Sequence, residues 1–121
     1  MNFEIDNPKI SPYVYPGLED IATEDKQINN IIRVVTRHYD ITRGMLFTKS
    51  RKYPLPDARY VVMYILYKTS FKLTGPLITR MFMKDHAVII HGNRKINDLR
   101  ETNSDFRKKF NAIQDDLNLN I

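Results

Sequence analysis

Apolar residues recur along this chain at the three- and four-residue spacing of helices buried on one side. Ile28, Ile31, Ile32 and Val35 form one such stripe behind Thr23 and an acidic first turn, predicting a helix that ends near His38-Tyr39. Thr42 opens a short second helix to about Thr48 that buries Met45, Leu46 or Phe47. Pro56 suits a first helical turn, where its missing N–H costs nothing, and Val61, Val62, Ile65 and Leu66 carry a strongly apolar helix to about Ser70. Thr74 caps another short helix holding Leu77, Ile78, Met81 and Phe82. After the turn Met83-Lys84, the Asp85 carboxylate can accept a free first-turn N–H, so a helix begins there and runs to about Glu101. Asn103 or Ser104 caps a last helix with Phe106, Phe110, Ile113 and Leu117 on one side. No strand-like alternation, internal repeat or low-complexity segment interrupts the pattern. The expected fold is all-α, with about six helices, two of them short.

Residues 1–22 break the pattern. Pro8, Pro12, Pro16 and Gly17 surround Tyr13-Val14-Tyr15, and proline fixes φ and removes backbone donors, so an extended N-terminal arm is expected. Its aromatics either lie on their own domain or meet a protein partner. Residues 23–121 then form one domain, since 121 residues support a single core.

Charge sharpens the picture by its position. Lys and Arg outnumber Asp and Glu by 19 to 14, a modest excess that favours polyanions without requiring them. Arg43, Lys49, Arg51, Lys52 and Arg59 cluster in one stretch opposed only by Asp57, whereas acidic residues gather at Glu19 to Asp25 and at Asp115-Asp116. The absence of cysteine excludes disulfides and thiol catalysis. No segment is apolar enough to span a bilayer, and the first residues lack the basic start and apolar run of a signal peptide. A cytoplasmic protein is expected.

The Asp85 helix carries the most chemistry. At 3.6 residues per turn, Val88, Ile89, Gly92, Ile96 and Leu99 share one face, while Ala87, Ile90, Arg94 and, at the flank, His86 point away. A core on one side with cationic, small and apolar groups on the other suits a DNA major groove. Together, Thr74 to Lys95 spell helix, tight turn, helix, the plan whose second helix enters that groove by its N-terminal end.

The string Asp85-His86-Ala87-Val88-Ile89-Ile90-His91-Gly92-Asn93-Arg94-Lys95-Ile96 resembles the signature of the C-terminal DNA-binding domain of the bacterial replication-initiator family, DnaA. That signature runs Asp-His-Thr-Thr, two aliphatics, His, a small residue, a variable residue and Arg-Lys-Ile. Upstream, Ser50-Arg51-Lys52, Ala58-Arg59 and Met63-Tyr64 are similar to its basic loop and the long helix after it, in register with His86. The resemblance spans roughly Ile31 to Phe110. It implies an all-α, Trp-repressor-like helix-turn-helix domain that binds duplex DNA; whether such a domain serves transcription regulation or replication, for a phage or mobile element among others, is left open by the sequence.

The implied roles transfer by position. Arg51 matches the loop arginine that enters the minor groove, and Arg59 a phosphate clamp. Thr74 and Gly75 match the helix start whose free N–H groups meet backbone phosphate. Asp85 and His86 match the base readers, beside Ala87, whose methyl can touch a thymine methyl. Lys95 sits near the groove edge by charge, and Lys49, Lys52, Lys84 and Arg94 complete the expected phosphate contacts. Asp85 can also serve simply as a helix cap.

Several residues depart from the pattern or have duller roles. Ala87 and Val88 replace two threonines and remove hydroxyl contacts; Tyr53 and Tyr60 stand where the family usually has Arg and Gln. No Gly-rich loop ending in Lys-Ser/Thr occurs, so the family's ATPase part is missing and a self-sufficient origin-melting initiator is not expected. Arg107-Lys108-Lys109 reads as a solvated face, His91 as structural, and Tyr60, Tyr64 and Tyr67 as packing on one helix. His86 and His91 lie about 140° apart around a helix and cannot share a metal as an i, i+4 pair does. No serine–histidine or paired-carboxylate spacing suggests an enzyme, and no cofactor, small-molecule substrate or membrane partner is expected. The alternative reading is a protein-binding adaptor that keeps the fold but has lost specific DNA readout, motivated by Ala87-Val88, the outward Ile90 and the Tyr-Pro arm.

Overall fold

A computed structural model describes residues 26–69, 82 and 87–121. Among these, the helices in chain order are α1 (Lys26–Tyr39), α2 (Arg43–Leu46), α3 (Leu55–Thr69), α4 (Ala87–Thr102) and α5 (Ser104–Leu117). The expected arm, the start of the first helix and the helix from Thr74 lie outside the described residues, apart from Phe82. No strand occurs among the described residues.

Local chemistry explains the boundaries. Tyr39 ends α1 where Asp40 adopts a left-handed φ of 55°, and the Ile41 N–H returns to the Thr36 carbonyl. The Thr42 hydroxyl accepts from the Met45 N–H and caps α2, which is shorter than the expected span to Thr48. Leu46 and Phe47 are buried, whereas Met45 is exposed. Pro56 occupies the first turn of α3 as expected, one residue after its start. At the last helix Asn103, not Ser104, is the cap: its side chain accepts from the Phe106 N–H at 3.0 Å.

The core is organised around α3. Six consecutive residues, Val61 to Leu66, are buried, so this helix is covered on every side rather than along one stripe. It packs between α1 and α4, and α5 closes the ring by packing on the same two helices. The Phe106 and Phe110 rings of α5 stack at 6.0 Å, and Phe110 meets Tyr64 edge-on at 5.7 Å. Phe82 is buried and stacks on Phe47 at 5.4 Å. The tyrosines of α3 divide. Tyr64 is buried with its hydroxyl donating to Asn97, whereas Tyr67, expected to pack, is half exposed.

Candidate nucleic-acid interface

Helix α4 presents the two faces its sequence requires. Ile89, Gly92 and Ile96 are buried, Val88 and Leu99 partly so, and Ala87, Ile90 and Arg94 face solvent. Ile90 is 51% exposed, a large apolar side chain with no place in the core. The close approach behind this helix depends on Gly92. A Cβ there would stand 2.6 Å from Tyr60 Cδ1, so the aromatic ring lies almost on the α4 backbone. His91 is exposed and meets Tyr60 edge-on at 6.1 Å.

Between Phe47 and Leu55 the chain runs without helix. Lys49, Arg51 and Lys52 are exposed along it. Arg51, Pro56, Arg59, Tyr60, Met63 and Val88 line a cleft of about 310 Å³. The basic loop and the first turn of α4 therefore open onto one hollow with a mixed apolar and cationic lining.

Two expected phosphate ligands hold other positions. Lys95 lies 3.4 Å from the Asp57 carboxylate and 5.4 Å over the Tyr60 ring, so its ammonium is already shared within the domain. Arg59 is 5% exposed. Its Nε donates to the Leu46 carbonyl at 2.7 Å, Nη1 to the Ser50 carbonyl at 2.6 Å, and Nη2 to the carbonyl and hydroxyl of Thr48. The guanidinium faces the loop's main chain instead of standing free at the surface. Sequence reasoning saw Asp57 as the lone acid in a basic stretch but could not pair it with Lys95, a partner far along the chain. Lys84, Asp85, His86, Thr74 and Gly75 lie outside the described residues. No metal-binding cluster of His, Asp and Glu occurs among the described residues, and none of their helices is long and apolar enough to cross a membrane.

The chain belongs to the helix-turn-helix class of DNA-binding domains. Residues 28–96, more than half of the chain, match the family model for the bacterial DnaA protein helix-turn-helix, and the chain belongs to that family. Similar curated proteins are chromosomal replication initiator proteins DnaA. The protein from Bacteroides thetaiotaomicron is 26% identical over 113 residues, covering 93% of this chain and 24% of the relative. That from Bacteroides fragilis is 30% identical over 92 residues, covering 76% and 19%, and that from Campylobacter curvus is 28% identical over 103 residues, covering 83% and 24%. The chain thus spans about a quarter or less of the length of these relatives.

Proposed function

We propose that this chain binds duplex DNA sequence-specifically, with the Arg51 loop in a minor groove and the start of α4 in the adjacent major groove. The observation that carries the proposal is the shared cleft, which is lined by Arg51 of the basic loop and Val88 of the first turn of α4, the helix whose Ala87, Ile90 and Arg94 are exposed. In this arrangement Asp85, His86 and Ala87 read base edges, and Ile90 adds an apolar contact to thymine methyls. Lys49, Lys52, Lys84, Arg94 and Lys95, with the Thr74-Gly75 helix start, hold phosphates. Lys95 does so while remaining beside Asp57. The names of the similar proteins point to chromosomal replication initiation as the setting, for which we infer a cytoplasmic location, with transcription control, including in a phage or mobile element, as the other use of such a domain.

Selection of bound fragments from random duplexes, followed by retardation assays on the recovered site, tests this. Arg51→Ala and His86→Ala each relax sequence discrimination by about 1–3 kcal/mol, the worth of a good base contact. Lys52→Ala weakens binding to all duplexes alike and lowers the salt slope by about one. Three variants that bind like the parent would refute these roles. The exposed Ile90 also fits a protein-binding adaptor. No retardation of any duplex, together with a stable complex with a defined protein, decides for that alternative.

A further inference from the structure

Resting on the DNA-binding reading, we propose that Arg59 is a positioning residue that holds the main chain from Leu46 to Ser50 so that Lys49 and Arg51 are presented to DNA. The Leu46 carbonyl is the last of α2 and belongs to the terminal carbonyls left without a helical donor. Beyond Phe47 the chain alternates: Thr48 and Ser50 are half-buried, Lys49 and Arg51 exposed. The carbonyls of Thr48 and Ser50 both accept from Arg59. The side chains between and after them, Lys49 and Arg51, are exposed. On the N–H side the loop is served by its own hydroxyls: Ser50 N donates to Thr48 Oγ1 at 3.4 Å, and Lys52 N to Ser50 Oγ at 3.2 Å.

The anchor is rigid. Arg59 follows Ala58, fully buried, in the early turns of the central helix α3, so the fork moves with the core. A planar guanidinium can reach three carbonyls spread along a bend, because its N–H bonds point outward in fixed directions. A lysine at the same place keeps the charge but offers one compact ammonium. The geometry therefore separates two roles that charge alone cannot. A phosphate clamp needs a cation; a brace needs the fork.

The test uses the full chain and the duplex recovered by selection, with Arg59→Lys, Arg51→Ala and the double variant. If Arg59 acts through the loop, Arg59→Lys loses roughly five- to hundredfold in affinity, as Arg51→Ala does, and the double variant binds within about twofold of Arg51→Ala alone. In the free protein, the Ser50 and Lys52 amides exchange faster in Arg59→Lys while amides of α1 and α5 keep their protection. A phosphate ligand gives the opposite pattern: fold losses that multiply in the double variant, substantial rescue by lysine and an unchanged loop. That pattern overturns the proposal.

Should Arg59→Lys fail to fold, the unaltered protein still decides. The Nε–H proton of a brace is protected from exchange before DNA is added and shifts little on binding, whereas that of a phosphate ligand gains protection only with DNA. If the parent binds no duplex, the DNA reading fails, and the amide and Nε–H measurements still judge the brace.

Discussion

The loop from Leu46 to Pro56 and the corner between α4 and α5 are both held by arginines that donate to main-chain carbonyls, but they differ in how many devices share the task. At the corner the groups that do so are several, donors and acceptors both. Asn103 caps α5, Arg107 reaches the carbonyls of Arg100 and Glu101, and Arg100 reaches the Ile121 carbonyl and the Tyr64 hydroxyl. Gln114 accepts from the Ile121 N–H, and Asn118 closes α5 in the left-handed conformation. Two helices with their own internal hydrogen bonds flank the turn. In the loop, by contrast, one buried side chain gathers three carbonyls, and the other bonds are short-range ones through the Thr48 and Ser50 hydroxyls and the turn from Lys52 to Leu55. A functional loop can be both irregular and fixed if its order is delegated to the core behind it.

That contrast can be broken experimentally. The largest effect is expected at Arg59: replacement by alanine destabilises the domain by about 2–4 kcal/mol in urea denaturation, because a buried fork leaves three acceptors behind. Arg107→Ala at the corner, exposed and backed by neighbouring devices, is expected to cost under about 0.5 kcal/mol. Equal losses at the two sites would dissolve the distinction between single and shared bracing.

Next comes the cap. Asn103→Ala removes the acceptor for the Phe106 N–H and should lower stability by about 1 kcal/mol, while Asn103→Asp retains most of it. A loss as large as that of Arg59→Ala would show that the corner, too, rests on one group.

A smaller effect of opposite sign lies where the regions meet. A hollow of about 300 Å³ is lined by Tyr53 and Asp57 from the loop side and by Leu99, Asn103 and Phe106 from the corner, with Tyr39 beside them. The Tyr39 hydroxyl is buried with no hydrogen-bond partner among the described residues. Burial, reinforced by the Asp57 carboxylate and by Tyr53, pushes its pKa above the ordinary phenol range. Tyr39→Phe should therefore leave stability unchanged or raise it by up to about 1 kcal/mol. A clear loss of stability in the melting curve would mean that the hydroxyl is bonded after all.

The smallest effect is expected at the α1–α5 seam. His38 Nε2 lies 2.6 Å from Asp116 Oδ2, and Arg37 donates to the same oxygen at 3.1 Å, which together hold the Asp116 carboxyl below the usual carboxylate range. A depressed folded pKa contributes stability above the unfolded value and loses it as pH falls through the folded one. The carboxylate is exposed, so solvent screens the pair. Asp116→Asn should flatten the acid limb of the stability profile slightly and leave the neutral region nearly unchanged. A loss at neutral pH rivalling that of Asn103→Ala would contradict this ranking.

Much of this architecture is legible before any coordinates. The stripe Ile28, Ile31, Ile32 and Val35 forms the buried face of α1, and Ile89, Gly92 and Ile96 that of α4, because helical periodicity sorts residues by face wherever one side meets a core. The caps at Thr42 and Asn103 are equally local, since a side-chain acceptor and the N–H it serves lie three residues apart. The exposure of Ala87, Ile90 and Arg94 follows from the same wheel.

What the tertiary structure decided is which cation faces where. Arg51 and Arg59 carry the same group in the same basic stretch, and nothing local separates them. One is exposed and the other is folded under the loop, because the chain between them turns back over the first turns of α3. The pairing of Lys95 with Asp57 and the seat of Tyr60 on Gly92 come instead from the packing of α4 on α3. Sequence alone determined the helices and their faces through interactions within a few residues. Proximity across the fold, set by how the basic loop and α4 lie on α3, determined which charges are turned inward and which are exposed.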